Sequence, residues 1–126
     1  MYKTILVRKL IDDGARLLAM LDAQEFPISA ALWFYLQETM AWKLVVVSDV
    51  AGTPGPLEAY MQIQKAMMGL NLELALDDIM VMSPTSKNFQ DFRRRIEGVA
   101  KIALLNRKPH SEGVPFEDAY VYRWLD

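Results

Sequence analysis

Trp42-Lys43-Leu44-Val45-Val46-Val47-Ser48-Asp49 is a β-branched apolar run that ends in polar residues, and its reading decides the fold. Val50-Ala51-Gly52-Thr53-Pro54-Gly55-Pro56 follows as a loop of helix-breaking residues. Leu57 to Leu70 has helical spacing, with Tyr60, Ile63, Met67 and Leu70 as its inner stripe and Met61 and Gln64 beside it. Glu58 suits the first turn, where the helix dipole favours negative charge, and Gly69 helps to end the helix. Ile79-Met80-Val81-Met82-Ser83-Pro84 is a second short apolar run, closed by proline. A helix between two strands of one sheet is a right-handed crossover joining parallel strands. The segment 42–83 therefore predicts strand, helix and parallel strand, with Leu72 to Leu76 as an approach to the second strand.

Upstream, residues 3–23 read as one amphipathic helix. Leu6, Leu10, Leu17 and Leu21 mark its stripe, with Val7, Ile11 and Leu18 alongside. Asp12-Asp13-Gly14 interrupts the pattern, which resumes in phase, so the helix continues through a glycine costing about 1 kcal/mol against alanine. Adjacent helical carboxylates diverge, so Asp12 and Asp13 read as a solvated face rather than a metal pair. Phe26-Pro27 closes the helix. Ala30 to Leu36 reads as a strand by its aromatic content and short length, with a helix from Ser29 to Met40 as the rival. Gln37 to Ala41 then connects it to the strand at Trp42 as a hairpin.

Downstream, Ser86 or Asn88 can cap a helix from Phe89 to Val99 with Phe89, Phe92 and Ile96 inward and Arg93, Arg94 and Arg95 fanned outward. Val99 to Leu105 and Pro115 to Trp124 read as two strands joined by the polar loop Asn106 to Gly113, with Ala119 and Val121 alternating against Tyr120 and Tyr122. The expected class is α+β, a mixed sheet of about five strands with helices mainly on one face, in the order α-β-β-α-β-α-β-β.

Composition narrows the function classes. The 126 residues, 14.4 kDa, 52 % hydrophobic and 24 % charged, fit one ordered domain, 1–126. A net charge of −2 excludes a globally basic nucleic-acid or membrane binder. The absence of cysteine removes disulfides and thiolate metal sites and permits a reducing interior. The apolar runs, such as Ala30 to Leu36, fall well short of the roughly 20 residues that span a bilayer. Charged Arg8, Lys9, Asp12 and Asp13 follow the N-terminus too closely for a signal peptide, so a soluble, cytoplasmic protein is expected. Eight methionines and thirteen aromatics read first as core filler, while Met-rich faces also suit adaptable protein contacts.

The chain resembles a family of short bacterial open reading frames with no established activity. The residues that carry the resemblance are Ala31-Leu32-Trp33-x-Tyr35, Trp42-Lys43-Leu44 through Val47-Ser48, and Gly55-Pro56-Leu57-x-Ala59-Tyr60-x-x-Ile63-Gln64. Leu76-Asp77-Asp78-Ile79-x-Val81-x-Ser83-Pro84 and Glu117-Asp118-Ala119-Tyr120-Val121-Tyr122-Arg123 complete them. The resemblance implies one domain and a bacterial source, and it brings no functional residues.

Parallel strands 42–48 and 79–83 would place Ser48, Asp49, Ser83, Thr85 and Ser86 on one sheet edge, followed by the helix that carries Arg93, Arg94 and Arg95. Open sheets bind ligands at such edges, and helix N-termini attract anions. The plainer reading is that these residues terminate strands and cap helices. Gly52-Thr53-Pro54-Gly55 stands where a phosphate loop would stand but lacks its Lys-Ser/Thr ending, and two prolines remove donors. From Lys87 to Lys108, seven basic residues face Asp91 and Glu97, a local excess of +5 that argues for a polyanion. Three successive arginines nevertheless point about 100° apart on a helix, which fits a solvated or ion-paired face better. His110 is the only histidine, in a loop, with no G-x-S-x-G motif to make a catalytic triad. Asp77-Asp78 and Glu117-Asp118 would offer a hard-cation site only if their strands were neighbours.

No catalytic residue, metal site or cofactor is assigned from these patterns. The leading expectation is a non-catalytic bacterial accessory protein acting through protein contacts, as a homodimer or with a protein partner. The alternative is a nucleic-acid or nucleotide binder, or a phosphodiester-acting enzyme, using the Asp49/Ser83 edge and the arginine helix.

Overall fold

A computed structural model describes residues 6, 8–36, 38–94, 114–116 and 119–124. Helix α1 spans Arg8–Ala23; of the expected extension back to residue 3, Leu6 is not helical and residues 3–5 and 7 lie outside the described residues. It ends in a Schellman turn: Phe26 N–H reaches Leu21 O at 2.9 Å and Glu25 N–H reaches Asp22 O at 3.0 Å, with Glu25 at φ 61°. The ambiguous apolar run is strand β1, Ala30–Leu36, and β2 is Ala41–Val47, so the rival helix over 29–40 does not form. The two pair antiparallel from Ala30↔Val47 to Leu36↔Ala41.

A 3-10 turn, Asp49–Ala51, leads to helix α2, Pro56–Met68. Gly55, at φ 137°, stands immediately before α2 in a conformation that side-chain-bearing residues rarely adopt. The crossover returns through a second 3-10 turn, Leu76–Asp78, to β3, Ile79–Met82, which runs parallel to β2 in the register Leu44↔Ile79 to Val47↔Met82. Helix α3 occupies 87–94. Ser86 is its cap: its Oγ accepts from Phe89 N–H at 3.1 Å, so Ser86 and not Asn88 starts the helix. The stretch 115–124, expected as one strand, instead holds parts of two: β4, Val114–Phe116, pairs antiparallel with β5, Ala119–Arg123. The strand expected at 99–105 lies outside the described residues.

The result is an α+β molecule with one mixed sheet, ordered β3-β2-β1-β5-β4. Both faces of its centre are covered, which explains why β1 and β2 read as continuous rather than alternating apolar runs. On one face, Ala31, Trp33, Leu44, Val46, Tyr120 and Tyr122 pack under Leu17, Leu18 and Leu21 of α1 and Ala59, Ile63 and Ala66 of α2. On the other face, Phe89 and Phe92 of α3 cover Leu32, Phe34, Val45, Val47 and Val121. Phe34 and Phe92 meet edge to face with ring centroids 5.0 Å apart. The innermost line of α2 is therefore Ala59, Ile63 and Ala66 rather than the expected Tyr60, Ile63 and Met67, because small alanines let the helix approach closely. Tyr60 is displaced to the β3 edge, where its hydroxyl accepts from Val81 N–H at 3.1 Å and donates to Ile79 O at 3.4 Å. That contact covers backbone groups which β3 would otherwise present to another strand.

Candidate functional site

The parallel pairing of β2 with β3 brings the expected polar residues to one edge. Ser48 N–H donates to Met82 O at 2.9 Å, extending the ladder, and the Gly52 Cα lies so near Ser83 that an added Cβ would stand 2.9 Å from Ser83 Oγ. The hydroxyls at this edge are engaged with their own neighbours. Buried Ser48 accepts from Val50 N–H at 3.2 Å and so caps the 3-10 turn. Ser83 Oγ and Thr85 Oγ1 share a hydrogen bond at 3.0 Å, and Ser86 Oγ donates to Ser83 O at 2.8 Å. Asp49 is exposed, and its carbonyl rather than its carboxylate organises the turn, accepting from Gly52 N–H at 3.0 Å.

Of the three arginines expected beside this edge, Arg93 and Arg94 are described, both on α3. Arg93 is half-buried, while exposed Arg94 faces Asp91 at 3.7 Å within α3. Arg95, His110 and the remaining basic residues of the 87–108 excess, Lys101, Arg107 and Lys108, lie outside the described residues. Asp77-Asp78 lead into β3, which β2 and β1 separate from β5 by about 14 Å at ordinary strand spacing, so those two strands are not neighbours; Glu117 and Asp118 lie outside the described residues. Asp78 instead accepts from Ala75 N–H at 2.9 Å to cap its turn. Among the described residues, no group of three His, Asp or Glu side chains is placed to hold a metal ion.

Three features were not anticipated from the sequence. The first is Asp13, expected at the solvated face and found fully buried. Its Oδ2 accepts from Glu73 N–H at 2.7 Å and Leu74 N–H at 3.2 Å, and Lys9 Nζ lies 3.0 Å from Oδ1. Burial pushes this carboxyl upward, but the Lys9 and backbone hydrogen bonds outweigh it and hold the group below the ordinary aspartate value. Asp12, its neighbour, is half-buried and pairs with Arg8 at 3.1 Å. Arg16 adds a bond to Asn71 O at 3.2 Å, so α1 is tied to the 71–74 segment at several points.

The second is the close approach of Tyr122 to α1. Its hydroxyl accepts from Trp33 Nε1 at 3.0 Å and donates to Ile11 O, and a Cβ on Gly14 would collide with it. Beside it, Arg123 grips Asp22 bidentately at 3.1 and 2.8 Å. That hydrogen bonding lowers the Asp22 carboxyl against the opposing effect of burial. Ala15, Leu18, Ala19 and these residues line a shallow groove of about 210 Å³, below the roughly 300 Å³ at which ligand pockets begin.

The third feature is apolar. Leu57, Met61 and Met68 on the outer side of α2 are 74 %, 54 % and 81 % exposed, at positions that share one helical face. Single exposed apolar residues need no explanation, but three aligned on one helix form a stripe. Among the described residues, no helix is long and apolar enough to cross a membrane. Comparison with protein families, curated proteins and solved structures gave no match to this chain.

Proposed function

We propose that this chain is a small bacterial accessory protein of the cytoplasm that works through protein–protein contacts rather than catalysis, and that the outer face of α2 is its contact surface. The observation that carries the reading is the aligned exposure of Leu57, Met61 and Met68. Methionine suits such a face, because its unbranched, polarisable side chain repacks against a partner with little strain. The strand-end hydroxyls supply support of another kind. Ser48, Ser83, Thr85 and Ser86 bond to one another and to adjacent backbone, as strand-terminating and capping residues do.

Photo-crosslinking in cells producing the protein tests this reading. A benzophenone amino acid replaces Met61 in one variant and exposed Asn88, on the α3 side of the sheet, in another. The expected result is a discrete protein adduct from position 61 that position 88 does not give. Equal or absent adducts at the two positions would overturn the reading.

A further inference from the structure

We infer that the partner of the α2 face is a second copy of this chain, docked with its own α2 antiparallel across a two-fold axis. The inference rests on the contact reading above and identifies the occupant from the arrangement of charge. At 3.6 residues per turn, Leu57, Met61, Gln64 and Met68 fall within an arc of about 60°. The midpoint of Leu57 and Met68 along α2 is also the midpoint of Met61 and Gln64. A two-fold axis through that point sets each Leu57 opposite the partner's Met68 and each Met61 opposite the partner's Gln64.

The charges flanking the stripe obey the same symmetry. Glu58, in the first turn of α2, and Lys65, in its last, lie within about 20° of each other on one side of the arc. In an antiparallel pair, like sides of the two helices face each other. Glu58 then comes within about 3 Å, along the helix axis, of the partner's Lys65. The reciprocal contact forms at the same time, since an isologous interface repeats every contact. Among the described residues, the Glu58 carboxylate accepts from Gln62 at 3.4 Å, and neither Glu58 nor Lys65 belongs to an ion pair. Apolar stripe and charge are thus self-complementary in one orientation.

The expected affinity is modest. A 13-residue helix is about 20 Å long, and one such pair covers less than the roughly 1,200 Å² of a standard interface. The pairing is expected to be weak, with a dissociation constant on the order of 10–100 µM.

Sedimentation equilibrium of the untagged full chain, from about 5 to 500 µM, provides the test. The expected result is a monomer–dimer equilibrium that Glu58→Lys or Lys65→Glu alone weakens at least about fivefold, with the double reversal restoring it to within about twofold. A monomer throughout, a dimer indifferent to both reversals, or a double variant no better than the singles would each overturn the inference. Circular dichroism verifies folding, and should a charge variant misfold, Met68→Gln is read instead, with loss of the dimer expected and its retention overturning the inference. A monomer whose position 61 still crosslinks to a different protein would reject the second copy and leave the contact reading standing. A monomer without that crosslink would reject both.

Discussion

Gly14 interrupts an amphipathic helix where a better helix former would ordinarily stand, and its neighbours explain why. The Tyr122 hydroxyl and Trp33 Nε1 occupy the space that a Cβ would enter. Gly14→Ala should therefore destabilise the protein by about 1–3 kcal/mol through overpacking, despite the helix propensity that alanine adds. In a Tyr122→Phe background, which lacks the colliding oxygen, the same substitution should cost markedly less. Chemical denaturation of the four proteins in this cycle measures the coupling; equal costs in both backgrounds would refute the steric account. Gly14 was legible in the sequence as an interruption, but its cause was not, because Tyr122 is 108 residues away. Asp13 is similar: helical geometry separates it from Asp12, yet which of the two is buried depends on the backbone of Glu73 and Leu74.

At the scale of elements, α1 is fastened at two carboxylates, Asp13 to the 73–74 backbone and Asp22 to Arg123 of β5. Both groups are held below the ordinary aspartate value, Asp13 by bonds that outweigh its burial and Asp22 foremost by Arg123. A carboxyl lowered by folding contributes stability that is present above its unfolded pKa, about 3.9, and is lost as pH falls through the lower folded value. Stability should therefore decline below about pH 4. Asp13→Asn should lower stability by about 1.5–3 kcal/mol at pH 7 and flatten that acid decline. Denaturant midpoints between pH 7 and pH 2.5 check both; an unchanged acid slope in the variant would show that Asp13 does not contribute to it. The elements themselves were largely legible. The runs at 30–36, 42–47 and 79–82 are long enough and apolar enough to declare strands. The line of α2 was misjudged because alanine carries little hydrophobic signal, although Ala59 and Ala66 set the closest approach to the sheet. The β4–β5 pair was missed because three- and five-residue strands only two residues apart read as one alternating run.

For the whole molecule, the strand order places the parallel β2–β3 pair at one side of the sheet and the β4–β5 hairpin at the other. The edge at Ser48 and Ser83 was legible because a crossover connection dictates it, and its residues do meet there. What they do there depends on hydrogen bonds that no spacing rule reveals, and those bonds are turned inward. The outer face of α2 was legible only as a surplus of methionine. Its exposure follows from the alanine line beneath it: once Ala59, Ile63 and Ala66 face the sheet, Leu57, Met61 and Met68 must face away. Whether a second copy covers this face can be read at residue resolution from methionine oxidation. Purified protein at about 1 µM and about 500 µM is exposed to the same excess of hydrogen peroxide, and sulfoxide formation at Met61 and Met68 is followed by peptide mass spectrometry. With the face covered by a second copy, oxidation of both residues is expected to be several-fold slower at the higher concentration. Identical rates at the two concentrations would rule out a second copy on this face.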